Sequence, residues 1–328
     1  MSKTIKSSQI ELPPHLGVYP KSLPVYKIDH AFLGNEDPNK QWENRINMLK
    51  DSFGIDGQLS DAGDRLVLQD KENIRVLQMY KPSDSFLYFD RSLVSPTDPK
   101  YADSILSAEV AKQRAHLWIE KNGLLNQYPV YQGLAYTKAI AFQADINQYA
   151  EKQSEDKEYN TEIKACFGFQ IEQTPVLGPG AKIMISFAGD TMSQVAYFWR
   201  NPVTSPVGEQ KIFPPESVKR YLARDPRFAH LDPLESKIRI NEINLGYYAL
   251  SPYAIQRYYF PVYQLKGIVE TRGGHNAQGL DAVLKKKGSI VKETLQYNFN
   301  YYLPAGHMSI EEYKMSGFPH PVKGSFIF

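Results

Sequence analysis

One cysteine, Cys166, serves the whole chain, so an intramolecular disulfide is impossible and a metal site built from several thiolates is excluded. Its neighbours Ala165 and Phe167 give it the surroundings of a small buried hydrophobe. Long apolar runs are missing as well, and none approaches the ~18 residues that a membrane helix needs. The opening Met1-Ser2-Lys3-Thr4-Ile5-Lys6 is basic but no apolar stretch follows it, so it does not read as a signal peptide. No Asn-x-Ser/Thr sequon occurs. A cytoplasmic location is the default expectation, and an extracytoplasmic one follows if a leader has been removed. An excess of one charge sign is absent too: 38 Lys+Arg against 36 Asp+Glu leave a formal net charge of +2. That balance gives no field able to hold a polyanion, so nucleic acid is not an expected partner.

The motifs of common chemistries are also missing. There is no Gly-x-Ser-x-Gly elbow, Walker loop, His-Glu-x-x-His helix or calcium-loop spacing. Gly178-Pro179-Gly180-Ala181-Lys182-Ile183 begins like a dinucleotide loop, but it lacks the third glycine and runs into an alternating strand. It predicts a turn, of type II, with Pro179 and Gly180 at its centre. The seven histidines are scattered, and the nearest approach to a ligand pair, His230 with Asp232, is explained by an ordinary loop. No cofactor, metal ligand or catalytic residue is assigned.

What is present is aromatic and patterned. The 328 residues suggest two or three modules, and 42% hydrophobic content is enough for real cores. Tyr and Phe, at 22 and 16 copies against 3 Trp, favour sheet surfaces. Residues 1–25, with Pro13, Pro14, Pro20 and Pro24, read as an extended arm whose end at 25–28 pairs with a sheet. In residues 26–94, Trp42, Ile46, Leu49 and Phe53 fall at helical spacing over 40–53, Gly54 stops the helix, and strands follow at 64–69, 73–80 and 85–91. Residues 95–205 open with a helix over 102–122, striped by Ile105, Ala108, Ala111, Ala115, Trp118 and Ile119. Strands are predicted at 128–144, 160–172, 181–187 and 194–200. Residues 206–328 begin with a short helix after Pro214-Pro215-Glu216 and continue with strands at 237–248, 256–269 and 292–303. A Gly- and Lys-rich loop separates the last two near 271–291, and Pro261 implies an edge or a bulge. The fold class is α+β, with repeated units of one helix and an antiparallel sheet.

Two features suggest ligand contact. Neighbours on a strand face opposite ways, so Tyr197-Phe198-Trp199, Tyr247-Tyr248 and Tyr258-Tyr259-Phe260 send rings to both faces of their sheets. Such rings bind peptide, sugar or a flat apolar ligand if a face is exposed, and merely pack if both faces are covered. In 271–276, glycines beside Arg272 and His275 suit an anion, although a glycine-rich connector needs none. The candidate ligand-binding residues are therefore Tyr197, Trp199, Tyr247, Tyr258, Arg272 and His275.

The order of helix, strand, residues 175–183, hairpin and residues 195–200 resembles the PepSY-like and cystatin-like modules of bacterial proteins. Residues 243–248 followed by 259–263 are similar to the tandem modules of YycH- and YycI-type regulators. The resemblance spans residues 40–304 as a pattern and implies binding, inhibition or regulation rather than catalysis. It transfers no catalytic residue, and the chain departs from those families in lacking their usual leader or anchor. The resulting expectation is a soluble, non-catalytic protein that holds a partner protein or a small apolar ligand on sheet faces or edges. The alternative is a cofactor-free isomerase or cyclase acting on an apolar metabolite in an aromatic-lined pocket.

Overall fold

The computed structural model describes residues 5–29, 38–93, 103–124, 129–140, 158–225, 228, 231, 236–272 and 294–307. In chain order its elements are β1 (Ile10–Glu11), β2 (Ser22–Asp29), α1 (Pro38–Phe53), β3 (Gly57–Asp61), β4 (Arg65–Asp70), β5 (Arg75–Tyr80) and β6 (Ser85–Asp90). Then come α2 (Ala108–Lys121), β7 (Pro129–Ile140), β8 (Glu158–Ile171), β9 (Thr174–Leu177), β10 (Lys182–Ala188), β11 (Thr191–Phe198), β12 (Asn201–Pro202) and β13 (Gly208–Lys211). The last are α3 (Val218–Leu222), β14 (Ser236–Tyr248), β15 (Tyr258–Tyr259), β16 (Pro261–Arg272) and β17 (Thr294–Pro304). The protein is thus sheet-dominated α+β. No helix among the described residues is long and apolar enough to cross a membrane.

The chain forms two compact units, neither continuous in sequence. One comprises residues 1–27, 204–248 and 258–328, and the other residues 28–203 and 249–257. In the first unit β14, β16 and β17 are antiparallel neighbours, and β1 adds to β14 in parallel. Ile238, Ile240, Leu265, Val269 and Leu303 turn to one face and pack with Val218 and Leu222 of α3 and with Ile5 and Ile10 of the arm. The arm is therefore part of this core. Tyr19 further ties it down by donating to the Ile243 carbonyl. Pro261, expected at an edge or bulge, instead opens β16 opposite Tyr247, a strand start where its missing N–H costs no ladder bond.

The second unit is a sheet in the order β3, β4, β5, β6, β11, β10, β8, with β7 and β9 along the far side of β8. Both α1 and α2 lie on one of its faces. The α1 stripe predicted from spacing is buried, with Trp42, Ile46, Leu49 and Phe53 no more than 6% exposed. Phe53 stacks on Tyr88 of β6 at 4.0 Å and on Trp118 of α2 at 5.4 Å. The α2 helix begins at Ala108 rather than near 102, because Ser107 caps it by accepting from the Val110 N–H. Gly123, at φ +67°, ends it as the Asn-Gly pair suggested.

Burial holds the core tyrosines neutral. It pushes Tyr88 up to about 12, with the nearby Asp90 carboxylate adding to the effect. Tyr197 and Tyr263 are raised by the same desolvation. A raised folded-state pKa stabilises the protein fully below the unfolded tyrosine value of about 10, and that stability is lost as pH climbs through the folded value. Urea unfolding monitored with tyrosinate absorbance is expected to show constant stability up to about pH 10, then a steep fall toward about pH 12. A flat profile across that window would contradict the burial of these hydroxyls.

Candidate functional site

The strands of the second unit alternate, so every second residue leaves the helical side. Register sets Cys166 of β8 opposite Met184 of β10, Met184 opposite Ala196 of β11, Ala196 opposite Leu87 of β6, and Leu87 opposite Gln78 of β5. The neighbouring row on one side runs Lys164, Ser186, Gln194, Phe89. On the other side lie Lys182, Phe198, Tyr80 and Arg65. Cys166, Met184, Leu87, Phe89 and Phe198 are all half-buried, whereas the helix-facing Ile183, Ile185, Leu77, Met79 and Phe86 are 0% exposed. No described helix covers this second face. It is a platform of partly exposed apolar side chains interleaved with Lys164, Gln194, Gln78 and Lys182, while Ala196, Ser186 and Tyr80 lie buried between them.

A loop, residues 249–257, stands at one end of the platform. Its backbone is clamped by Arg200, only 2% exposed, which donates to the carbonyls of Leu250 (2.8 Å), Ser251 (2.8 Å) and Ala254 (2.7 Å). Ser83 donates to the Pro252 carbonyl at 2.8 Å, and the Leu250 N–H donates to the Gln256 side chain at 2.8 Å. Ala249 exchanges backbone hydrogen bonds with Leu177 and Gly180. The glycine turn before β10 is therefore not the type II turn expected from Pro179-Gly180. Positive φ falls on Gly178 (+98°), and Gly180 is required because a Cβ there would sit 1.8 Å from the Leu250 carbonyl oxygen. With the backbone held from inside, Tyr253 and Ile255 point outward, 55% and 43% exposed.

An aromatic shelf joins loop and platform. The Tyr253 ring meets Tyr80 edge-on at 4.8 Å, and Tyr80 meets Phe198 at 6.3 Å. The Lys182 ammonium lies 5.6 Å from the Phe198 ring centroid, a cation–π contact. Burial and the hydrogen-bonded Tyr253 hydroxyl raise Tyr80 far above the usual phenol range, so it stays a neutral donor. Burial likewise raises the Cys166 thiol, outweighing the opposing pull of Lys164 and Lys182. Glu162, 2% exposed, accepts from Ser193 at 3.0 Å and pairs with Lys164 at 3.1 Å. These three groups satisfy one another where a register shift at Ser186/Phe187 interrupts the β10–β11 ladder. Among the described residues no group of His, Cys, Asp or Glu is arranged to hold a metal ion.

The residues singled out from sequence are placed unevenly. Tyr197 and Trp199 face the helical side and are sealed in the core, 1% and 3% exposed. Tyr197 stacks on Phe86 at 5.0 Å and Trp199 on Phe169 at 3.9 Å. Arg45 of α1 covers the Tyr197 ring at 5.5 Å, while the buried hydroxyl makes no well-formed hydrogen bond among the described residues. The ring between them, Phe198, is the one on the open face. In the first unit Tyr247 is 1% exposed and donates to the Pro24 carbonyl, and Tyr258 is half-buried opposite Lys27 of β2. Arg272 ends β16 with its side chain outside the described residues, as are His275, the rest of the loop near 271–291, and His230 with Asp232. Tyr80, Tyr253, Leu87 and Met184 are not among the candidate residues that the sequence marks. Alternation assigns residues to two faces without saying which face a helix will cover.

No protein-family model matches the chain, and no curated protein sequence matches it. Among solved structures it is similar to an uncharacterized protein from Eubacterium rectale ATCC 33656, with 12% identity and a TM-score of 0.46 over 91% of this chain and 89% of that one. It is also similar to YycH from Bacillus subtilis, with 14% identity and a TM-score of 0.34 over 75% of this chain and 50% of that one. The second likeness touches one of the families named from the sequence, whereas no family model supports PepSY-like or cystatin-like modules. Neither likeness is close enough to assign a function or a residue role.

Two outcomes test this geometry. Replacing Arg200 by Met leaves buried carbonyls without their donor and is expected to cost ~3 kcal/mol or more in urea unfolding. Amide exchange should then accelerate selectively over 249–257; unchanged exchange there would show that the clamp holds nothing. The raised Cys166 thiol should react with iodoacetamide more slowly than glutathione at about pH 8, with the difference narrowing as pH rises.

Proposed function

We propose that this protein is a non-catalytic binding protein that holds a partner protein on the open sheet face of its second unit, against the wall formed by residues 249–257. The observation that carries this reading is the unequal treatment of the two faces. The described helices bury one, while Leu87, Phe89, Met184, Cys166 and Phe198 remain partly exposed on the other. A contiguous apolar surface of this kind raises the free energy of the isolated protein, and contact with a partner recovers it. A loop clamped by Arg200 adds the preorganisation that lowers the cost of association, since Tyr253 and Ile255 are presented without further ordering of the backbone. The reading retains the sequence-level view of helix-and-sheet modules in a binding or regulatory role.

The experiment is a paired substitution. Leu87→Glu with Met184→Glu is expected to preserve the circular dichroism spectrum and to reduce capture of a crosslinked partner from native cells more than about tenfold, the range of a hot-spot loss. Leu59→Glu, at a 41% exposed position whose cross-strand register places it outside this face, should leave capture intact. Equal behaviour of the two variants would refute the placement.

A further inference from the structure

The open face is apolar along its middle and cationic toward its margins. Lys182 and Lys164 stand on the adjacent strands β10 and β8, and Arg65 stands on β4. Lys182 lies over Phe198 with no carboxylate of a described residue within ion-pair distance. Among the described residues Arg65 has only the adjacent Asp64, half-exposed and 3.8 Å away. Among the described side chains on the strand positions of this face, Glu162 is the one carboxylate, and it is buried and occupied by Lys164 and Ser193. The face therefore carries positive charge that its described side chains do not balance, although the chain as a whole is nearly neutral.

Resting on the binding role proposed above, we infer that the occupant is a helical segment of another protein whose apolar stripe is flanked by Asp and Glu side chains. A sheet whose one face is closed by α1 and α2 completes the usual layered arrangement when a helix closes the other. The half-buried Cys166, Met184 and Leu87, in one row with the buried Ala196, offer the shallow apolar seat that an amphipathic helix fills. The margin supplies the register: carboxylates on the flanks of such a helix meet Lys182 and Arg65, while a basic helix meets like charge at both.

The test uses the full chain and three fluorescein-labelled synthetic peptides of about five helical turns. One has a leucine stripe flanked by Glu, one the same stripe flanked by Lys, and one the Glu composition with the leucines scrambled. Anisotropy titrations are expected to show the Glu-flanked stripe binding about tenfold or more tighter than the other two, with affinity falling as salt rises. Lys182→Glu with Arg65→Glu should reverse the preference, and the milder Lys182→Gln with Arg65→Gln should abolish it while the circular dichroism spectrum is kept. Equal binding of the Glu and Lys peptides, indifference to the charge reversal, or no binding of any peptide overturns the inference. So does binding to phosphatidylserine vesicles without peptide preference, or a dimer in sedimentation that Leu87→Glu dissolves. If partner capture still depends on Leu87 and Met184 while the peptides fail, the acidic helix alone falls. If capture itself is insensitive to those residues, the binding role falls with it.

Discussion

Strand alternation under a one-sided helical cover is the constraint on which the second unit depends. The stripe of α1 and the small residues of α2 require a broad apolar surface beneath them, and the alternate residues of β5, β6, β8, β10 and β11 supply it with almost no exposure. Period two then forces an equal number of side chains to the opposite side. In a protein with no use for that side, those positions would be polar, as they are on the first unit's outer face, where Asn244, Gln264, Asn300 and Tyr302 form a hydrogen-bonded ladder. In the second unit Cys166, Met184, Ala196, Leu87, Phe89 and Phe198 share that side with polar residues such as Lys164, Ser186 and Gln194. The contrast between the two outer faces is the strongest internal reason to read the second as a binding surface.

The Arg200 clamp shows a related economy. Burying a guanidinium costs several kcal/mol unless its donors are met, and several of them are met by carbonyls of one short irregular segment. An apolar residue of similar size would fill the space without ordering that backbone. The charge therefore contributes positional definition to residues 249–257, and Gly180 permits the close approach that makes it work.

Much of this was legible in the sequence wherever a period was strong. The α1 stripe, the alternation of β10, and the Asn-Gly stop of α2 each match the element they predicted. What lacked a period was missed: β3 is Gly-Gln-Leu-Ser-Asp and β9 is four residues long, too polar and too short to stand out. The units were hidden for a different reason. Reading along the chain finds contiguous segments, whereas the terminal arm joins strands some 230 positions away and residues 249–257 belong with the second unit. For the site, the sequence correctly split Tyr197, Phe198 and Trp199 between faces but favoured the wrong parity for exposure, because which face α1 covers is decided by tertiary packing. Arg200 carried no signal at all: a lone arginine closing the strand predicted at 194–200 looks like surface.

The central claim is that one face of the second unit's sheet is open, and hydroxyl-radical footprinting of the free protein measures it directly. Leu87, Phe89, Met184 and Phe198 should be oxidised well ahead of Leu77, Phe86 and Tyr197 on the helical face, after correction for intrinsic reactivity. Equal protection of the two sets would mean that both faces are covered, and would contradict the existence of an open binding face.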